Sequence, residues 1–488
     1  MNKKINNIFF AVFMIFVFPA RGETYREISL KESLDFAIEN SFDVKLAKLD
    51  LLISETDKTY ASSVYDTFLT GGASYGEDKR QQSSIFYPDN SQNNIYHAGV
   101  SKTLITGTNL NAEFFDNRAW SNSQFVSLNP AHTAEAAFTA VQPIGKNTFG
   151  FIDRNKLSVT KLAVENASLT ERDRIEGYIA DVSKAYWGVV YSKRSVEIYE
   201  EILEKARELY DSSLKNFDMG LIERGDLLAA RANLESVKSE IIIAKNNLEN
   251  TIEDFKMLIN MPETLDIIPL EKLEEKVNGC PSDIGACLKT SFNKRRDYMS
   301  AKRDVEIKGI ELKIKKNSAL PEIDLKGTMA FNGARNAFSK SMNKVTGTDN
   351  SYYYGGIEVS LSLENSASKA DFLRQKYEKE KTIIKLKQIE RKIITETVNS
   401  FNSVRALKES ARHVEEAVNL SEEKLIEEDK RFRSGRSNMK RVIDYQDDLL
   451  RAKLKKITVL FEYTSSLIDL ERVMNNLLEK EGYESSAV

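Results

Sequence analysis

The sequence predicts an α+β membrane protein in which long coiled-coil helices alternate with amphipathic transmembrane strands. Three observations predict it. Heptad repeats of apolar residues run through two separate stretches. Short runs of alternating apolar and polar residues lie between the helical stretches. A secretory leader precedes everything else.

The leader comes first in the chain. Lys3 and Lys4 form a positive start, apolar residues run from Ile8 to Phe18, and Ala20-Arg21-Gly22 offers small residues before Glu23. This pattern reads as a signal peptide over residues 1–22, too short for a stable transmembrane helix. No cysteine stands near the cleavage site, so no lipid anchor is expected there. Its removal takes away three bases and no acid, which moves the formal net charge from −3 to −6. An acidic chain is a poor partner for nucleic acid, whose phosphates require a basic face. No later apolar run approaches the roughly twenty residues of a membrane helix, so any membrane entry must be made by strands.

The helical stretches are read by comparing the chain with itself. At an offset of 215 residues, the row Ile175, Val182, Val189, Val196, Leu203 and Tyr210 shares its phase with Val404, Ala411, Val418 and Leu425. Tyr178, Ala185, Tyr199 and Ala206 stand three positions on in the first copy, and Leu407 and Val414 in the second. Such a/d rows let helices supercoil. The same offset superimposes Phe217-x-x-Gly220 on Phe432-x-x-Gly435, and each glycine suits a helix end because it accepts the left-handed conformation. Apolar rows resume beyond each turn: Leu227, Leu234, Ile241, Leu248 and Phe255 in one copy, and Val442, Leu449, Tyr463 and Leu470 in the other, where Lys456 interrupts. Each copy is therefore a helical hairpin. An offset of 254 also matches Leu34, Asp43 and Ala47 with Leu288, Asp297 and Ala301.

The expected organisation follows. A first repeat covers 23–262, with strands at about 68–142 and a hairpin over 154–260 whose tip is 217–226. A linker covers 263–287. A second repeat covers 288–478, with strands at about 322–364 and a hairpin over 367–476 whose tip is 432–444, before a tail at 479–488. Helices of about 90–100 Å result.

The strands decide against a bare coiled coil. Ile357, Val359, Leu361 and Leu363 alternate with Glu358, Ser360, Ser362 and Glu364, and Ile323, Leu325, Met329 and Phe331 alternate with polar neighbours. Runs of about ten residues with one apolar side suit a barrel with lipid outside and water inside. An Asn-, Ser- and Gly-rich loop over 332–351 joins them. Phe68–Gly76 and Ala134–Gln142 are the first copy's equivalents. The stretches Ile95–Leu104 and Thr108–Phe115 are also strand-like, and either extend the barrel or lengthen an outer hairpin. Strands of a soluble sandwich are the bland alternative. Four strands per protomer cannot close a barrel, which starts at about eight, and an open edge in lipid leaves backbone groups unsatisfied. Several subunits are required.

The order of helix, strand pair, helix, Phe-x-x-Gly turn and helix, written twice, resembles the TolC family of outer-membrane efflux proteins. The stretches Ile28–Ser41 and Phe217–Leu234, with Asp226-Leu227-Leu228 after the turn, carry the likeness. The resemblance implies a homotrimer whose twelve-stranded barrel lies in outer-membrane lipid and continues into a periplasmic coiled-coil barrel. It implies docking to a periplasmic membrane-fusion adaptor and an inner-membrane efflux pump or ABC transporter, as an exit duct for small molecules or, by type I secretion, polypeptides. By position, the family's closing aspartate falls on Asp226, its aromatic partner on Phe432 and its arginine partner on Ser437. Two ring aspartates fall on Arg441 and Asp444, so one is kept. Asp226 is therefore expected to pair with Arg436 or Arg441, and the alternative is solvated charge at a tip. Phe217, Gly220, Leu221, Phe432 and Gly435 are the adaptor-docking candidates; helix termination alone would explain the glycines but not the phenylalanines.

Little supports catalysis. His97, His132 and His413 belong to no metal-ligand motif, and no nucleophile elbow or phosphate-cradling loop is present in the sequence. No catalytic residue, cofactor or metal is expected. Cys280 and Cys287 are candidates for a local disulfide in an oxidising periplasm, or thiols that never meet; two cysteines alone would be an incomplete zinc site. The rival class is a non-conducting periplasmic coiled-coil adaptor, which needs no lipid-facing alternation.

Overall fold

The computed structural model describes residues 25–84, 86–262, 264–273 and 283–483. The leader and Cys280 lie outside the described residues, whereas Cys287 is buried in a helix. No described helix is long and apolar enough to cross a membrane.

Two compact units are formed. The first takes Met1–Phe42, Tyr178–Cys280 and Asn402–Asp469, and the second takes Asp43–Gly177, Pro281–Phe401 and Leu470–Val488.

In the first unit, β1 (Tyr25–Ile28) leads into α1 (Leu30–Asn40), which starts on a capping box: the Ser29 hydroxyl accepts from the Glu32 N–H, and the Glu32 carboxylate accepts from the Ser29 N–H. The body of the unit is four helical segments. They come from α3 (Phe151–Asp218), α4 (Arg224–Ile259), α8 (Ser366–Arg433) and α9 (Met439–Val473), whose order follows the two hairpins. At 68 residues each, α3 and α8 are about 100 Å long. The heptad rows supply the core: Val182, Val189, Val196, Ala230, Leu234, Val404, Val418 and Leu449 are all buried. Within the segment expected to be a linker, β6 (Asp266–Pro269) pairs in parallel with β1. The Tyr186 hydroxyl donates to the Ile28 carbonyl at 3.0 Å and to Glu271, and burial, reinforced by that carboxylate, pushes the phenol up.

The second unit holds α2 (Phe42–Ser62), the first part of α3, α5 (Ile284–Lys294), α6 (Arg296–Ser318), the first part of α8, and α10 (Leu477–Lys480). Its centre is one antiparallel sheet of β2 (Thr67–Asp78), β3 (Ser91–Thr103), β4 (Asn109–Ser121), β5 (Ala131–Pro143), β7 (Glu322–Arg335) and β8 (Ser351–Ser360). Where four strands were expected, the sheet of one chain thus has six. The stretches left open by the sequence, β3 and β4, pair along their whole lengths with each other and with β2 and β5. Hydrogen bonding to neighbours overrides the weak alternation of Asn93 and Asn94. The expected strand end also moves: β8 stops at Ser360, leaving Leu361 and Leu363 exposed beyond it.

Register assigns each residue to a face. One face carries Leu69, Ala73, Val100, Leu110, Ala112, Phe138, Leu325, Met329, Ile357 and Val359; the other carries Thr70, Ser74, Ser101, Asn111, Glu113, Glu135, Thr139, Thr328 and Glu358. Near the loop end of the sheet the first of these faces turns polar, and there it carries Asp116 and His132, which bond at 3.1 Å. They are covered by α7 (Phe338–Thr346), a helix in the segment expected to be a loop. Ser341 of α7 donates to the His132 carbonyl at 2.7 Å, and Phe338 meets Phe114 and His132 edge-on. The hydrogen bond to His132 gives a partner to a carboxylate that is only 2 % exposed.

Candidate functional site

The two hairpin turns concentrate the residues singled out by sequence, and both lie in the first unit. Each turn is built alike. Gly220 adopts φ +72° and Gly435 φ +69°. The Gly220 N–H donates to the Phe217 carbonyl at 2.8 Å, and the Leu221 N–H to the Asn216 carbonyl at 2.8 Å. In the second turn the Gly435 N–H donates to the Phe432 carbonyl at 2.9 Å, and the Arg436 N–H to the Arg431 carbonyl at 2.8 Å. Both are Schellman caps, in which glycine in the left-handed region satisfies the last carbonyls of the helix.

The apolar members differ in exposure. Leu221 is 69 % exposed and Phe217 37 %, beside Met219. Phe432 is half-buried and lines a groove of about 750 Å³ between α3, α8 and α9 with Leu209, Leu425, Ile426, Val442 and Leu449.

The charged members are arranged otherwise than expected. Asp226 sits in the first turn of α4, where a carboxylate complements the helix dipole. Among the described residues it makes no ion pair with Arg436 or Arg441, so the expected partnership is absent within one chain. Arg441 turns instead to Glu428, at 3.9 Å, and Arg431 stands 3.9 Å from the same carboxylate. Ser437 donates its hydroxyl to Glu428, which is only 3 % exposed. Arg436 and Asp444 are exposed. Glu428 was missed by sequence reasoning, although a signal exists. It stands three positions after Leu425, on the companion row of Leu407 and Val414, where an apolar residue belongs.

Higher up the hairpins, a polar layer ties the helices. Gln446 of α9 accepts from Asn233 of α4 at 3.3 Å and donates to the Lys205 carbonyl of α3 at 3.4 Å. Lys453 of α9 pairs with Glu201 of α3 at 2.6 Å and Glu422 of α8 at 3.1 Å. The Ser213 hydroxyl stands 4.0 Å from the Met439 sulfur, bringing the end of α3 against the start of α9. Nothing here supplies a nucleophile beside a base, and among the described residues no cluster of His, Cys, Asp or Glu could hold a metal. What the arrangement offers is a pair of rigid turns, apolar and charged side chains at their ends, and a groove beside them.

Comparison with known proteins gives this geometry a context. Residues 110–260, from the start of β4 through the end of α4, match the family model described as outer membrane efflux protein. Outer membrane protein TolC of Escherichia coli strain K12 is 19 % identical over 352 residues, covering 71 % of this chain and 71 % of the relative. The fold is that of solved channels: the CusC structure superposes with a TM-score of 0.70 at 13 % identity, over 94 % of this chain and 95 % of that one. The open-state MtrE outer membrane channel of Neisseria gonorrhoeae superposes with a TM-score of 0.68 at 16 % identity, over 92 % and 89 %. With its paired hairpins, twin glycine turns and two-faced sheet, the chain has the fold of these outer-membrane channels and is similar in sequence to TolC and the outer membrane efflux proteins.

Proposed function

We propose that the chain is the outer-membrane channel of a tripartite efflux or type I secretion system. It would act as a homotrimeric, passive exit duct whose transport is driven by an inner-membrane pump or ABC transporter through a periplasmic adaptor. The carrying observation is the pairing, in one chain, of a sheet with one apolar and one polar face and helices of about 100 Å. The two halves are read as structural repeats, each contributing one hairpin to a coiled-coil tube.

In this reading the turns meet the adaptor. Leu221 and Phe217 supply apolar surface, while Gly220, Gly435 and Phe432 hold the ends in shape. Asp226, Arg436, Arg441 and Asp444 are the gate candidates, and the absence of an ion-pair partner for Asp226 among the described residues leaves its carboxylate available to a neighbouring copy. A non-conducting periplasmic adaptor is the rival, and it has no use for a two-faced sheet.

The test is reconstitution. Protein extracted from outer membranes should run as a heat-modifiable oligomer and give stepwise conductance in planar bilayers. A water-soluble monomer without a heat-modifiable β-rich core overturns the reading. Within the channel, Asp226→Ala should alter conductance, and unchanged conductance removes Asp226 from the gate.

A further inference from the structure

We propose that the β2 edge of each copy pairs with the β8 edge of a second copy, and that three copies close an eighteen-stranded barrel. This is wider than the twelve strands that four per copy would give. The copy number rests on the function proposed above; the six strands per copy stand on the sheet itself.

The hairpin of β3 and β4 is part of the sheet, in unbroken order β2-β3-β4-β5-β7-β8. Its strands are 13 residues each, longer than the roughly 9–11 that cross a bilayer. Over Tyr96–Val100 and Leu110–Phe114 the hairpin also keeps the division of faces. Tyr96, Ala98 and Val100 of β3 and Leu110, Ala112 and Phe114 of β4 fall on the apolar face, whereas His97, Ser101, Asn111, Glu113 and Asn117 fall on the polar one. A hairpin standing outside a barrel would have no reason to match its neighbours in this way.

The end of the hairpin nearest the helices is locked in place. Its turn, residues 104–108, sits against the short helical turn that precedes α3. Gly107 and Gly150 both have positive φ, +73° and +72°. A Cβ on Gly107 would stand 2.6 Å from the Gly150 nitrogen and 2.8 Å from its Cα, so neither position admits a side chain. The Thr108 hydroxyl donates to Gln142 at 2.5 Å, and the Gln142 amide donates to the Thr106 carbonyl at 3.1 Å.

Closure follows from the edges. β2 and β8 each have a single hydrogen-bonded neighbour, and six strands are too few for a barrel. Lipid tolerates no open edge. Every pairing in the sheet is antiparallel, so with an even number of strands β2 and β8 run in opposite directions. A second copy therefore continues the antiparallel pattern, and only this chain's own edges are needed. Barrel diameter grows roughly linearly with strand number, so the pore in the membrane is about half as wide again as a twelve-stranded one.

The test is the full-length protein in lipid nanodiscs, with strands counted in a cross-section of the barrel by electron cryomicroscopy. Cysteine pairs run alongside it: Phe68→Cys with Ser101→Cys, and Asn111→Cys with Thr139→Cys. Eighteen strands in a threefold ring, with both pairs forming disulfides within one chain, is the expected result. A threefold ring of twelve strands without those disulfides overturns the wide barrel and leaves the channel reading intact. A closed ring of two copies overturns the count of eighteen, and protein that forms no ring overturns both readings.

Discussion

Glu176 of α3 receives the guanidinium of Arg296 from α6 at a point where neither side chain meets much solvent, at 0 % and 8 % exposure. The same carboxylate accepts from the Asn475 amide at 2.9 Å and from the Leu477 N–H at 2.8 Å. The Asn475 side-chain oxygen Oδ1 in turn accepts from the Arg296 backbone N–H at 3.2 Å. One buried acid therefore fastens α6 and the chain after α9 to α3, all within the second unit. Its removal strands a buried arginine and two donors, and breaking a buried pair costs about 3–5 kcal/mol. Glu176→Ala is expected to lower the thermal midpoint followed by circular dichroism and to reduce the folded yield. The double change Glu176→Leu with Arg296→Met should recover much of the loss, because it leaves no unpaired charge. A single variant that melts like the parent would remove the network from the stability of this unit.

At the second hairpin turn, Glu428 is the charged centre. An ion pair with a partner as exposed as Arg441 contributes about 0–1 kcal/mol. At about 0.5 kcal/mol per copy, three copies would shift a two-state gate by about tenfold. Glu428→Gln retains an acceptor for Ser437 and removes the attraction to Arg431 and Arg441. Open probability in planar bilayers should rise about tenfold, and Arg441→Ala should move it in the same direction. If both variants conduct like the parent, the cluster shapes the turn and has no part in gating.

The glycine turns give a cleaner comparison. No atom lies within 4 Å of where a Cβ on Gly220 or Gly435 would stand, so an alanine there meets only the conformational penalty of positive φ. That penalty is about 1–2 kcal/mol per residue, and asparagine tolerates the region better. Gly220→Ala and Gly435→Ala should each lower helix melting by similar amounts, with the asparagine variants falling between them and the parent. Leu221→Asp, at an exposed position, should leave melting unchanged while weakening capture by a periplasmic adaptor. Loss of melting temperature in Leu221→Asp would show that this residue holds the turn.

The helical half of the fold was legible because heptad rows carry their own burial pattern. Val404, Ala411, Val418 and Leu425 are buried in the phase in which they are written. The first row slips beyond Val196, where Ile202 and Leu209 are buried in place of Leu203 and Tyr210. A straight helix drifts against a seven-residue repeat, and the seam moves with it. At the interruption by Lys456, Ile457 takes the buried place. The sheet was harder to read, since a strand is stabilised by neighbours far away in sequence. The apolar alternation of β3 is broken by Asn94 on the apolar face and Ile95 on the polar one, and only the ladders to β2 and β4 settle its place. Likewise α7 hides in a Ser- and Asn-rich segment because its purpose is to cover Asp116 and His132, which sequence spacing does not bring together. At the turns, the glycines were legible from the chain alone; the pairing of Arg441 with Glu428 required the hairpin to be closed.

Lys453 offers a test of the four-helix unit by pH. Burial disfavours its charge, but the Glu201 and Glu422 carboxylates outweigh that effect and hold the ammonium above the ordinary lysine value of 10.5. Because the folded value exceeds the unfolded one, the stabilisation is fully present below the ordinary value and is lost as pH rises through the raised one. The lysine side chain is 16 % exposed, but Glu201 and Glu422 are 40 % and 44 % exposed, so solvent screens part of the attraction. Lys453→Met should melt lower than the parent at neutral pH, since two carboxylates lose their shared partner. As pH rises above the ordinary lysine value the parent should lose more of its melting temperature than the variant, and the two curves should converge. Parallel curves across that range would mean that Lys453 titrates alike in the folded and unfolded chain and does not tie α9 to α3 and α8.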